Sequence, residues 1–293
     1  MMARHVPAPH LRWPYHRVVS DGPASHPDVL LVDDPRPGVR RLTLNRPEKR
    51  NALNNALRGA LFAALQEADR DNAVHVTILR GAGPCFSSGY DLGSDLSADR
   101  PSYTPGGDGG WARHVTDGWL PLWDLAKPVI AQVHGYAMAG GSELAAACDL
   151  VYLADDATIS HPVLRVAGTP DFANHPWLVG LRNSLEMVLT GDPVDAAEAV
   201  RVGYANRAFP PAELDEAVLA VAERMASIPH ELLQLNKRWV YRAMDAMGAR
   251  TAIRSAPDLG ALGPHVPSIR ENLDGLRSRI RDAARSPDDD PAT

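Results

Sequence analysis

The segment from Pro128 to Leu153 constrains the fold more than any other part of the chain. An apolar strand, Pro128–Val133, runs into Gly135. The pair Gly140 and Gly141 then leads into Ser142–Cys148, a stretch of small and apolar residues. Asp149–Leu153 returns as a second strand. A helix with so little polar surface has to be buried. Strand, buried helix and strand in one run require stacked layers, which points to an α/β fold with crossover connections.

The same alternation extends to both sides. Val29–Asp33 and Val39–Leu44 read as strands joined by a turn at Pro35–Gly38. Leu57, Leu61, Leu65 and Ala68 share one face of a helix. Val74–Leu79 reads as a strand, ended by Gly81, Gly83 and Pro84. Gly93–Gly118 reads as a long loop rich in Gly, Pro, Ser and Asp. Trp111, Trp119 and Trp123 lie in or just after it, to line a pocket or to pack onto the domain. Beyond Trp177 the pattern turns helical, at Leu181–Leu189, Ala196–Val202, Pro211–Ala226 and Leu232–Met247. Residues 1–27 read as a surface extension without periodicity, and 286–293 as a disordered, Asp- and Pro-rich tail.

Composition narrows the function. The chain of 293 residues carries a formal charge of −6, which argues against a nucleic-acid surface. No run approaches the roughly 18 apolar residues of a membrane span, and residues 1–19 have no apolar signal core. Cys85 and Cys148 read as buried free thiols, so the expected compartment is a reduced cytoplasm. The histidines show no metal-ligand spacing, and His75 and His134 read as structural. Gly81-Ala-Gly83 only begins a dinucleotide fingerprint, and Gly141-Ser-Glu-Leu-Ala145 lacks the second glycine of a nucleophile elbow.

Three segments carry chemistry: Leu44-Asn-Arg-Pro-Glu-Lys-Arg-Asn-Ala-Leu53, Phe86-Ser-Ser-Gly-Tyr-Asp-Leu92, and Lys127 through Leu144 with its Gly140-Gly141-Ser-Glu143 core. The first turn of a helix offers unpaired N–H groups and a positive dipole end. Glycine lets a ligand approach such a backbone closely. In this order and spacing the segments resemble the crotonase, or enoyl-CoA hydratase/isomerase, superfamily over about residues 28–250.

The resemblance implies a spiral core of β-β-α units over 28–210 and a helical region over 211–285 that builds a trimer, often paired into a hexamer. Leu232–Met247 and Ser268–Arg281 are the candidates for subunit contacts. It implies an acyl-CoA substrate, with coenzyme A entering as part of the substrate and no separate cofactor or metal. The backbone N–H groups of Tyr90 and Gly140 would form an oxyanion hole for the thioester enolate, leaving the Tyr90 side chain free to shape the pocket. Glu143 would be a general acid/base, against its plain reading as a helix-dipole partner. Arg50, Ala52, Leu53, Ser88, Asp91, Leu92, Gly141 and Val163 would line the substrate groove. Arg50 also reads as a solvated turn charge.

One departure matters. Hydratases use a second glutamate where this chain has Val163. Asp171, a few residues on, is a candidate replacement or an ordinary turn residue. His161 and His175 border the same region. The expected function is hydratase-like chemistry on an enolate. Double-bond isomerisation and non-catalytic acyl-CoA binding are the alternatives.

Overall fold

A computed structural model describes residues 29–98, 100–101, 107–166 and 168–284. The extension at 1–27 and the tail at 286–293 lie outside the described residues. In chain order the elements are β1 (Leu30–Arg36), β2 (Val39–Leu44), α1 (Asn55–Arg70), β3 (Val76–Gly81), α2 (Gly110–Trp119), β4 (Val129–Val133), β5 (Tyr136–Met138), α3 (Gly140–Ala147), β6 (Leu150–Ala154), β7 (Thr158–Ser160), α4 (His175–Thr190), β8 (Val194–Asp195), α5 (Ala196–Val202), β9 (Arg207–Phe209), α6 (Leu214–Ala226), α7 (His230–Ala246), α8 (Ala249–Gly260) and α9 (Pro267–Ala284).

The main sheet runs β1-β2-β3-β4-β6-β9, and a small second sheet runs β5-β7-β8. β1 pairs antiparallel with β2, and every later pair in the main sheet is parallel. Parallel strands covered on both faces read as continuous apolar runs, and β4 (Val-Ile-Ala-Gln-Val) is buried at all its positions. α1 is capped by the Asn54 side chain, which accepts from Leu57 N at 2.9 Å. The predicted face of Leu57, Leu61, Leu65 and Ala68 is its buried face. α6 lies across β2, β3, β4, β6 and β9.

α3 is wholly buried, as its composition requires. The turn before it sets the site. Ala139 has φ 47°, a left-handed conformation costly for a residue with a side chain. Its N–H donates to Ser160 O at 2.8 Å, which ties the start of α3 to the second sheet.

The stretch 93–118 is not one long loop, because α2 begins at Gly110 and its small and aromatic residues pack inward. α4 starts at His175, earlier than expected, and kinks at Gly180 (φ 75°, ψ 170°). α6 starts at Leu214, three residues past Pro211. α7 and α9 cover the two predicted C-terminal stretches. α7 is tied to the core through Lys237, whose ammonium donates to Asp149 Oδ2 (2.8 Å), Leu122 O (3.0 Å) and Lys127 O (3.1 Å). His75 and His134 accept the structural role foreseen for them, at Ala226 O and Gly83 O. Cys85 and Cys148 are buried and free. No helix among the described residues is long and apolar enough to cross a membrane.

Candidate active site

The three chemistry-bearing segments converge. Residues 46–53 run beside 85–91, held by Asn51. Its buried side chain donates to Ala82 O and Cys85 O and accepts from Arg46 N. Arg50 and Asn51 both take left-handed backbone. Arg50 O accepts from Ser88 N at 2.9 Å, and the Arg50 side chain is exposed. Arg46 pairs with Asp91 at 2.9 Å, so Asp91 serves as a clamp between the two segments. Leu53 is fully buried, and Ala52 nearly so; what Leu53 offers a groove is its backbone. Leu92 is exposed.

The same pairing frees one N–H. Leu53 N donates to Gly89 O (2.7 Å) and Leu53 O accepts from Asp91 N (3.2 Å). That parallel bridge skips the N–H of Tyr90. Gly140 is the first residue of α3, where helical geometry supplies no carbonyl for its N–H. The two segments touch at Gly89 (φ 96°), where a Cβ would lie 2.7 Å from Met138 O and 3.1 Å from Gly140 N. Only glycine fits there.

The Tyr90 side chain is not free. Its ring lies over Gly140, where a Cβ would come within 2.5 Å of it. Its hydroxyl donates to Glu143 Oε2 (2.9 Å) and accepts from Trp119 Nε1 (3.0 Å). The ring makes an edge contact with Trp111 at 5.0 Å. Burial and the Glu143 charge push the phenol far above its ordinary range.

Glu143 is 1% exposed. Its Oε1 accepts from the backbone N–H groups of Asp171 (2.9 Å) and Phe172 (3.1 Å). Burial raises its pKa, while those two N–H groups and the Tyr90 hydroxyl hold the carboxylate form. Asp171 sits beside it. Its Oδ2 accepts from Trp111 Nε1 (2.9 Å), and its carbonyl accepts from Thr116 Oγ1 (2.8 Å). Burial, and then the Glu143 charge, push Asp171 up to about 8. Three donors on one carboxyl against one on the other favour the charge on Glu143 and the proton on Asp171.

Arg58 of α1 is fully buried within 5.4–6.0 Å of the rings of Phe62, Tyr90, Trp111 and Trp119. Its charge favours the ionised forms of Glu143 and Asp171. The sequence reading missed Arg58, and offered Trp111 and Trp119 as pocket or packing residues without tying them to Tyr90 and Asp171. Arg58 stands beside Leu57 and four residues before Phe62, a buried helix face where a lone arginine is the available signal. Trp123 instead packs against Tyr241, with Arg250 over its ring. Val163 lies in a short 3₁₀ turn, Pro162–Arg165, and brings no carboxyl there. His161, just before that turn, places Nε2 4.0 Å from Glu143 Oε1. Gly141 packs on Ser87, where a Cβ would lie 2.6 Å from its carbonyl oxygen.

Comparisons with known proteins give the family. The sequence pattern of the family described as enoyl-CoA hydratase/isomerase matches residues 35–256. A Mycobacterium tuberculosis protein named as an enoyl-CoA hydratase, EchA13, is 36% identical over 242 residues, 76% of this chain and 75% of its own length. An enoyl-CoA hydratase/isomerase structure from Xanthobacter autotrophicus Py2 superposes with a TM-score of 0.76 at 35% identity, covering 88% of this chain and 98% of that one. A structure of a monofunctional enoyl-CoA isomerase from M. smegmatis gives 0.62 at 33% identity, covering 76% and 98%. With a helical C-terminal region beyond its mixed α/β core, the chain belongs to the enoyl-CoA hydratase/isomerase family of the crotonase superfamily, a family of lyases and isomerases.

Proposed function

We propose that the protein moves a proton on an enoyl-CoA thioester, with Asp171 as its acid/base, and that its reaction is double-bond isomerisation. The observation that supports this most is the Asp171 carboxyl, with a single donor, a neighbouring Glu143 charge and a pKa near 8. A group that titrates near the working pH is suited to both taking and giving a proton. Tyr90 and Gly140 N–H groups hold the thioester oxygen as charge builds on it; one such donor is worth roughly 3–4 kcal/mol in comparable sites. Asp171, in its ionised fraction, takes the proton from C2 of a 3-enoyl-CoA and, now protonated, returns one at C4. Glu143 stays ionised, fixes the Asp171 backbone and keeps the Asp171 proton affinity high. Arg50, exposed beside Ser88, is the cation for a coenzyme A phosphate. Ala52, the Leu53 backbone, Leu92 and Val163 complete the walls of the groove.

Val163 supports isomerisation over hydration, because hydration needs a second group to activate water. Hydration of 2-enoyl-CoA is the second reading. The adjacency of Glu143 and Asp171 favours it, as do relatives named as hydratases. Initial rates with 3-hexenoyl-CoA and with 2-hexenoyl-CoA plus water separate them. Faster turnover of the 3-enoyl thioester, lost in Asp171→Ala, supports isomerisation. Hydration without isomerisation overturns it, and binding without turnover returns the non-catalytic reading. A homo-trimer or hexamer in the cytoplasm belongs to the same proposal. Leu235, Trp239 and Val240 are exposed on α7, and solution mass measurement tests the assembly.

A further inference from the structure

We propose that Arg58 is the positioning residue of the Glu143–Asp171 pair: its guanidinium holds the three rings that feed hydrogen bonds into the pair, and its charge sets the pH at which the pair works. This deepens the acid/base reading of that pair and rests on it. Among the described residues, two side chains donate to the carboxyls, the Tyr90 hydroxyl to Glu143 Oε2 (2.9 Å) and Trp111 Nε1 to Asp171 Oδ2 (2.9 Å). A third ring, Trp119, donates through Nε1 to the Tyr90 hydroxyl at 3.0 Å. Arg58 Cζ stands 5.4–5.8 Å from the centroid of each of these three rings. Phe62, one turn further along α1, lies 6.0 Å from the same atom and meets Trp119 edge-on at 5.5 Å.

A guanidinium is flat and weakly hydrated, so it packs among aromatic rings where an ammonium would not. The attraction between cation and ring is strongest where water is excluded, as it is at this depth. A polarised chain of donors is also a stronger one, so the cation reinforces both routes, Trp111 to Asp171 and Trp119 through Tyr90 to Glu143. The ionisable groups that feel the Arg58 charge are Glu143, Asp171, the Tyr90 phenol and the His114 imidazole of α2. Burial, and then Arg58 and Arg100, keep His114 neutral, at about 3, so it adds no second charge. Burial and the Glu143 charge drive Asp171 towards its protonated form, and Arg58 pulls it back. Isomerisation needs both forms in turn, ionised to take the C2 proton and protonated to return one at C4. Arg58 acts through the rings and the carboxyls and keeps the first of those forms within reach of neutral pH.

The test is the titration midpoint of Asp171, read from the pH dependence of 3-hexenoyl-CoA isomerisation and from the carbon-13 resonance of its labelled carboxyl carbon. Arg58→Met keeps an apolar stem and removes the charge, and its midpoint is expected about one pH unit above wild type. One unit is a tenfold change in ionised fraction, so turnover near pH 7 is expected to fall about tenfold and the deficit to narrow as pH rises towards about 10. Arg58→Lys keeps the charge without the flat fork and is expected to return most of the midpoint shift. If Arg58→Met does not fold, the double variant Glu143→Gln/Arg58→Met, which deletes one charge of each sign, is compared with Glu143→Gln alone, and the same upward shift is expected. A midpoint unchanged in the folded comparison, or a deficit equal at every pH, overturns the proposal and leaves Arg58 as packing alone. Wild-type protein that does not turn over the thioester overturns the isomerase reading, and the carbon-13 titration then still decides whether Arg58 governs the Asp171 proton.

Discussion

Two carboxylate centres, one buried and one largely so, stand at opposite ends of α3, and they are built on opposite principles. At the C-terminal end, Asp149 is saturated. It accepts from Val129 N (2.6 Å), the Lys237 ammonium (2.8 Å) and the Tyr241 hydroxyl (2.8 Å). At the N-terminal end, Glu143 is likewise enclosed by three donors, but a second acid, Asp171, shares its surroundings and feels its charge, with Arg58 as the offsetting cation. One centre neutralises its charge and locks two parts of the chain together. The other concentrates negative charge and leaves a proton on the carboxyl with fewest donors. Burial alone therefore does not mark a functional acid; the sign of its neighbour does.

Substitutions that exchange the roles of the centres break this comparison most directly. Asp171→Asn removes the mobile proton, and turnover of 3-enoyl-CoA is expected to fall by about 10²–10⁴. The same variant is expected to melt higher than wild type at pH 8, because it deletes a poorly placed charge; steady-state rates and thermal melts check both halves. Lys237→Met leaves the largely buried Asp149 without its cation; breaking a fully buried pair costs about 3–5 kcal/mol, and this one is expected at or below the low end. Denaturant melts should show that loss, while turnover per folded molecule stays near wild type. Next in size is Tyr90→Phe, which removes one charge-assisted hydrogen bond from Glu143, worth about 1.5–3 kcal/mol. The proton affinity of Glu143 rises and that of Asp171 falls, so the pH–rate profile shifts to lower pH.

The comparison also extends to stability against pH. Asp171 has a folded-state value near 8 against about 4 in an unfolded chain. The folded chain thus holds this proton throughout that interval. Its contribution to stability is lost as pH climbs from about 4 to about 8 and does not return above it. Wild type should lose more melting temperature across that window than Asp171→Asn does.

Much of the scaffold was legible in the sequence. The apolar run of β4, the amphipathic face of α1 and the small residues of α3 each impose a periodicity or a burial demand that one segment expresses alone. The two glycines beside the Tyr90 and Gly140 N–H groups were legible for the same reason. The short strands β5, β7, β8 and β9, of two or three residues, carry too little pattern to be read. Helix α2 was hidden because Gly109 and Gly110 look like loop residues, yet they begin it. The electrostatics of the site were not legible. Tyr90, Trp111, Arg58, Glu143 and Asp171 come from five separate segments, and no local spacing announces that the Tyr90 hydroxyl ends on Glu143. The Asp171 carboxylate was visible as a replacement for what Val163 lacks, but its proton is a property of the packed cluster.

Carbon-13 NMR of protein labelled at the aspartate carboxyl carbon, titrated from pH 4 to pH 10, tests that proton directly. One aspartate resonance titrating near pH 8, absent from Asp171→Asn, is the result this account predicts. A spectrum in which every aspartate has ionised by about pH 5 would contradict it.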